Sequence, residues 1–440
     1  MGADVLDGTR TFCCRWAVCV RLSLRADLGA LEARRPQIPT SNPARTLVFC
    51  NINRADQHFH AYGGYLLARL TTCITAAAIM SIAQDEIVQL RTLQRQYLQL
   101  VDPSQLRWPD AHVLKRPDVQ SWLFLHMFDE SSLKSPPPER YQLRVLKLLI
   151  SKLERSIVDP EEDQEISDDL MSAMSTLLTS NVPSEADSAQ QKAFVTYSYP
   201  LHSADDSAAE EQAVTLLEAR SVISGSGTTG LRTWEAALLL GSYLATKDGR
   251  RMIEGKRVFE LGAGTGVISI LCAKHLGASG VVATDGDEAV VDAIKTNLFL
   301  NGLDVDNQEG CRVRTAALKW GWPVYAVAFS EDYGMEVPNV LLGADVTYDK
   351  TVIPRLVSTM YDFFELSPAL EILVSATIRN EATFETFLNA CRRNGFRFEQ
   401  LGFSPTPEPL QAGPFYPTST PIQIWRITKS EAAWADPFAV

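Results

Sequence analysis

Residues 258–266 read V-F-E-L-G-A-G-T-G, an apolar run with one carboxylate, Glu260, that opens onto glycines at 262, 264 and 266. The pattern is that of a buried strand turning into a helix. Glycine serves where a chain reverses, and where backbone must lie against a ligand without a Cβ in the way. Open amides at the helix start favour a polar or anionic group. A nucleotide-like cofactor is therefore expected at the carboxyl end of this strand. Dinucleotide sites use G-x-G-x-x-G or G-x-G-x-x-A. Here the spacing is G-x-G-x-G, and Val267 stands where the third small residue would be. Glu260 would repel a pyrophosphate and suits a cofactor with a cationic amino-acid end.

The run E-L-G-A-G-T-G resembles the E/D-x-G-x-G-x-G pattern of seven-strand methyltransferases. That resemblance implies S-adenosylmethionine as the cofactor, with Glu260, Gly262, Gly264 and Gly266 in its cradle. Asp285 follows a β-rich run, G-V-V-A-T, nineteen residues beyond Gly266. A carboxylate at that place can accept hydrogen bonds from both ribose hydroxyls. Asp287 is the alternative ribose ligand, and either aspartate could instead cap the next helix. Trp234 precedes a helix and Trp320 follows the third strand, where an adenine edge is expected. An indole can stack on or wall an adenine and donate an N–H. Trp322 is an equally near candidate.

A second constellation, G-A-D-V-T-Y at 343–348, closes another apolar strand. Asp345 and Tyr348 are the expected catalytic pair, a carboxylate and a phenol able to hold a substrate amine and accept its protons. A sulfonium methyl is already activated, so the enzyme must mainly align nitrogen, methyl and sulfur and favour the neutral amine. The structural alternative makes Asp345 a cap for a helix from Thr351 and Tyr348 a packing residue. Rival chemistries have little material. Only His275 of six histidines falls in the α/β region, and His58 and His60 lack further metal ligands. No metal site is expected, and Cys272, Cys311 and Cys391 read as small core residues.

The elements that must hold these residues alternate. Strand candidates are 257–261, 280–284, 311–316, 339–344, 370–376, 396–401 and 422–428; helical candidates are 233–245, 266–276, 287–300, 351–365 and 379–393. The order predicts an α/β fold, a seven-stranded doubly wound sheet. Its last two strands are joined by a loop rich in proline and glycine at 404–421, so an antiparallel closing strand is expected. Ahead of this methyltransferase domain (233–430), residues 80–200 read as a helical substrate-binding region and 201–232 as a linker; 431–440 form a tail.

The chain has 440 residues and a net charge of −12, which argues against a nucleic-acid surface. Eight cysteines show no C-x-x-C pair, so a reducing compartment, the cytoplasm, is expected. No apolar run has the length of a membrane span. Residues 1–79 carry nine arginines and no lysine. They read either as a transit peptide, which their acidic residues fit poorly, or as an atypical extension upstream of a start at Met80.

With Thr284-Asp285, L-K-W-G at 318–321, D-V-T-Y at 345–348 and T-T-G-L-R-T-W-E-A-A at 228–237 in order, the chain resembles methyltransferase family 16. Within that family it is similar to the lysine methyltransferases of translation elongation factor 2, the fungal members above all. The resemblance spans about 80–430. It implies methyl transfer to a lysine of that factor by a monomeric enzyme. It also maps cofactor contacts onto Trp234, Gly262, Ala263, Gly264, Asp285, Trp320 and Ala344. Lys319 departs from the acidic or small polar residue common there. A methyltransferase of another protein or a small molecule, and a non-catalytic module on the same fold, are the competing readings.

Overall fold

The computed structural model describes residues 82–157, 165–200, 211–219, 229–303 and 312–429. The expectations for 1–79 and Met80, for Cys311 and for the 431–440 tail lie outside these residues, as does much of the 201–232 linker.

Helices α1 (Gln84–Leu98), α2 (Ala111–Leu114), α3 (Pro117–Leu123), α4 (Glu139–Ser156), α5 (Asp168–Thr179) and α6 (Glu185–Gln190) open the described chain. Leu90, Leu93 and Tyr97 of α1 pack with Val145, Leu146, Leu149 and Leu153 of α4 and with Leu170 of α5 in one core. That three-and-four spacing is the stripe a helix buries, and each such side chain contributes roughly 1.5–3 kcal/mol. Gln99, just beyond α1, joins this region to the 404–421 loop by accepting from the Phe415 N–H at 2.8 Å.

The expected helix up to 200 and linker from 201 are replaced in part by a hairpin. β1 (Lys192–Tyr199) pairs antiparallel with β2 (Gln212–Ala219), Lys192 opposite Ala219 and Tyr199 opposite Gln212. A-F-V-T-Y and A-V-T-L-L-E alternate with period two, a strand signal. Val195, Tyr197, Val214, Leu216 and Glu218 fall on the buried face.

Beyond it come α7 (Glu235–Leu244), α8 (Lys247–Ile253), β3 (Arg257–Leu261), α9 (Val267–His275), β4 (Gly280–Asp285) and α10 (Glu288–Leu300). β5 (Arg312–Ala317), α11 (Ala326–Tyr333), β6 (Val340–Ala344), α12 (Ile353–Leu366), β7 (Glu371–Thr377), α13 (Glu381–Arg393), β8 (Phe396–Gln400) and β9 (Ile422–Lys429) complete the fold. All seven anticipated strands are present, in the order β5-β4-β3-β6-β7-β9-β8, and β9 runs antiparallel to both neighbours. The short helices α8 and α11 add to the helices expected from the sequence. Each face of the sheet carries its own core, one around Val258, Ile268 and Leu271, the other around Phe259, Leu341 and Phe363. Consecutive residues of β3 thus point to opposite faces, as the pleat requires, and Glu260 shares the Val258 side, toward α9.

Candidate active site

β4 and β6 flank β3, and the chain leaves these neighbours in opposite directions. A crevice must open above the carboxyl ends of strands at such a switch point. A cavity of about 690 Å³ lies there, walled by residues of the glycine run, of 229–237, 285–287 and 318–322, and of 344–355.

Gly262 and Gly264 floor it in left-handed conformations, φ +65° and +55°. A Cβ on Gly262 would lie 3.0 Å from Val346 Cγ1 and 3.1 Å from the Trp320 ring; one on Gly264 would lie 3.3 Å from the Gly230 carbonyl oxygen. The loop therefore needs glycine for its backbone angles and for its closeness to its surroundings. Ala263 and Ala344 also line the cavity, and Gly266 does not. Gly266 begins α9 with φ +81°, facing Ile294.

Two carboxylates stand on this floor, Asp285 half-buried and Glu260 buried. Asp285 holds the glycine loop: Oδ2 accepts the Gly264 N–H at 3.1 Å and Oδ1 accepts the Asp287 N–H at 3.1 Å. Burial raises its pKa, and these backbone donors oppose the rise. Asp287 caps α10, accepting the Ala289 N–H at 2.9 Å. Of the two aspartates, Asp287 is the helix cap. Glu260 is 2% exposed, and its Oε2 accepts the Ser269 N–H at 3.0 Å and the Ser269 hydroxyl at 2.5 Å. Burial pushes its pKa up to about 7, opposed by the Ser269 bonds and reinforced by the charge of Asp285.

Both expected tryptophans reach the wall. Trp234 donates its indole N–H to the Thr229 carbonyl at 3.1 Å, and the guanidinium groups of Arg232 and Arg379 lie 5.5 and 5.3 Å from its ring. Trp320 lies against Gly262, and its Nε1 is a buried donor with no acceptor among the described residues. Trp322 and Lys319 line the cavity too.

The D-x-x-Y pair divides. Tyr348 lines the cavity and is 62% exposed, so it is not a packing residue. Asp345 is absent from the cavity wall, although Ala344 and Val346 on either side belong to it. Its backbone is left-handed, φ +55°, a conformation aspartate tolerates better than most residues. Its Oδ1 accepts the Thr377 N–H at 3.0 Å. Its Oδ2 accepts from the Thr377 hydroxyl at 3.1 Å and from Arg379 Nη1 and Nη2 at 3.4 and 3.3 Å. Arg379 also reaches Glu235 Oε2 at 3.2 Å. Burial raises the pKa of Asp345; the Thr377 amide, the Arg379 charge and their hydrogen bonds oppose it. Nor does Asp345 cap the segment at Thr351: Asp349 does, accepting the Thr351 N–H at 2.8 Å.

Sequence reasoning missed Thr233 and Thr265, which line the cavity side by side, hydroxyl to hydroxyl at 2.6 Å. The signal for Thr233 is its position beside Trp234 in T-T-G-L-R-T-W. Arg379 and Glu218 carried no local signal, because their partners lie far along the chain.

A glycine loop at the switch point of this seven-strand sheet, with an acid closing the next strand, defines the class: an S-adenosylmethionine-dependent methyltransferase. Comparison with known proteins narrows it. The profile of a family described as lysine methyltransferase matches residues 216–394. Over 334 residues the chain is 44% identical to protein-lysine N-methyltransferase EFM3 of Chaetomium thermophilum, covering 76% of this chain and 96% of that protein. It is 31% identical to EFM3 of Saccharomyces cerevisiae (50% of this chain, 67% of that one) and 26% identical to human protein-lysine N-methyltransferase EEF2KMT (70% and 89%). The chain belongs to the lysine methyltransferase family and is a protein-lysine methyltransferase. No helix among the described residues is long and apolar enough to cross a membrane.

Proposed function

We propose that the chain transfers methyl groups from S-adenosylmethionine to a lysine of translation elongation factor 2 in the cytoplasm, and that the crevice above β3 and β6 holds the methyl donor. The observation carrying the substrate reading is the likeness to EFM3 over 96% of that protein's length, beside the likeness to human EEF2KMT. The cradle residues fit the donor chemically. Added Cβ atoms at Gly262 and Gly264 would crowd the floor, and the Trp320 N–H is a buried donor suited to a heterocycle nitrogen. Asp285 accepts the ribose hydroxyls, Glu260 faces the cationic amino end, and Trp234 and Ala344 wall the remainder. Gly266 acts indirectly, by setting the start of α9.

When bound, the donor supplies an activated sulfonium methyl group. The chain's own task is to align an amine with it and keep that amine neutral. Tyr348, at the exposed edge of the cavity, is the group placed to meet a lysine side chain and accept a hydrogen bond from its amine. Asp345 reaches the amine directly only if Arg379 moves. In the present arrangement it acts as a buried anion that holds Arg379 against Trp234 and Glu235. The test is incubation with labelled S-adenosylmethionine and a lysate from cells lacking the corresponding enzyme. A labelled band at the size of elongation factor 2, absent with Tyr348→Ala, supports the reading. Label on another protein and none on the factor would transfer the activity to that substrate.

A further inference from the structure

The inward face of β2 carries a carboxylate that the proposed reaction does not use. Glu218 is 4% exposed. Its Oε1 accepts the Thr233 hydroxyl at 2.5 Å; its Oε2 accepts the Thr233 N–H and the Tyr197 hydroxyl, each at 3.3 Å. The Thr233 hydroxyl also meets Thr265 Oγ1 at 2.6 Å. A hydroxyl has one proton, and a carboxylate only accepts. Burial raises the Glu218 pKa, and the hydrogen bonds from Thr233 and Tyr197 oppose the rise. With Glu218 ionised, Thr233 donates to it and the second bond runs from the Thr265 hydroxyl to Thr233. Thr265 is left with lone pairs alone to offer the cavity it lines.

A second bridge from β2 ends on the same residue. Asn297 of α10 accepts the Leu217 N–H at 2.8 Å and donates through Nδ2 to the Thr265 carbonyl at 2.9 Å. The middle residue of the G-T-G turn is thus held by its hydroxyl and by its carbonyl, along separate routes from one strand. An acceptor turned to the cavity suits an ammonium group and disfavours a carboxylate or phosphate.

We propose that the β1–β2 hairpin braces the cofactor cradle, and that Glu218 is a positioning residue which, through Thr233, keeps Thr265 an acceptor for the ammonium end of the methyl donor. This rests on reading the crevice as the S-adenosylmethionine site. Glu218→Gln sets an amide N–H₂ against one of the two Thr233 donors, its hydroxyl or its N–H, and so loosens the hold on Thr233; Thr265→Val removes the acceptor.

Calorimetric titration compares three ligands: S-adenosylmethionine, S-adenosylhomocysteine, and 5′-methylthioadenosine, which lacks the amino-acid end. Each variant is expected to bind the first two about tenfold more weakly, the loss of one hydrogen bond to a charged group. Binding of 5′-methylthioadenosine should stay within about twofold. The double variant should be no weaker than either single one, since both act on one bond. In steady state KM for the donor rises, with far less change in kcat at saturation. Equal loss for all three ligands, losses that multiply in the double variant, or no loss at all would overturn the proposal. If Glu218→Gln does not fold, Thr265→Val alone decides by the same ligand pattern. Wild-type protein that binds none of the three would sink the reading of the crevice itself, a distinguishable result.

Discussion

Replacing Glu260 by glutamine removes a buried charge from the inner end of β3 and keeps the shape of the side chain. The glutamate carboxyl titrates ordinarily near 4.5 and, buried in the folded chain, near about 7. Between those values the folded state holds more protons than the unfolded one. Stability is therefore fully present below about pH 4.5 and is lost as pH rises through about 7. The gap corresponds to roughly 3 kcal/mol, a substantial part of a domain's net stability. Glu260→Gln is expected to abolish this loss, so the ligand-free variant should exceed wild type in melting temperature at pH 7.5 and match it more closely near pH 5.

Cofactor affinity should move the opposite way. A cationic end beside Glu260 favours the ionised carboxylate, which at pH 6 is only about a tenth of the free protein. If only that form binds tightly, the apparent Kd at pH 6 is about eightfold weaker than at pH 7.5. Binding near pH 6.5 then releases a proton, and calorimetry in two buffers of different ionisation enthalpy counts it. In Glu260→Gln the affinity is lower throughout and flat across this range. A flat wild-type profile, or a slope that survives in the variant, would refute the pairing of Glu260 with a cation.

Gly262→Ala combines a left-handed backbone, costing about 1–2 kcal/mol, with a methyl 3.0 Å from Val346 and 3.1 Å from Trp320. A melting-temperature loss equivalent to about 2–4 kcal/mol, with donor binding abolished, is expected; thermal unfolding with and without ligand checks it. Asp285→Ala strips the acceptor from the Gly264 and Asp287 N–H groups and should weaken donor binding at least tenfold. Asp287→Ala loses a helix cap, about 1 kcal/mol of stability, and is expected to change the Kd little although Asp287 also borders the cavity; a loss of affinity as large as that of Asp285→Ala would overturn the choice of Asp285 as the ribose ligand. Tyr348→Phe, at an exposed position, should leave the melting temperature unchanged and lower kcat tenfold or more, on the order of a lost proton acceptor, in single-turnover assays on the protein substrate.

The cradle was legible because its information is local. Glycine at 262, 264 and 266 reports backbone angles within one turn, and strands read from short apolar runs returned all seven members of the sheet. Asp285 and Asp287 could not be separated that way, since two aspartates before a helix look alike until one is seen to cap it. The hairpin is not legible locally because its two strands flank a polar stretch, and pairing between them is a long-range fact.

Residue types and spacing alone thus determined the sheet and its glycine turn, and the resemblance they carried pointed to a methyl donor and to lysine methylation, a class in which the chain's relatives also place it. Tertiary structure alone decided what each carboxylate faces. Asp345 is met by Thr377 and Arg379 from the next strand and its loop, Glu218 by Thr233 from beyond its hairpin, and Glu260 by Ser269 one helix later. Periodicity records which residues are buried along one element. The partner that satisfies a buried charge comes from another element, and only packing brings the two together.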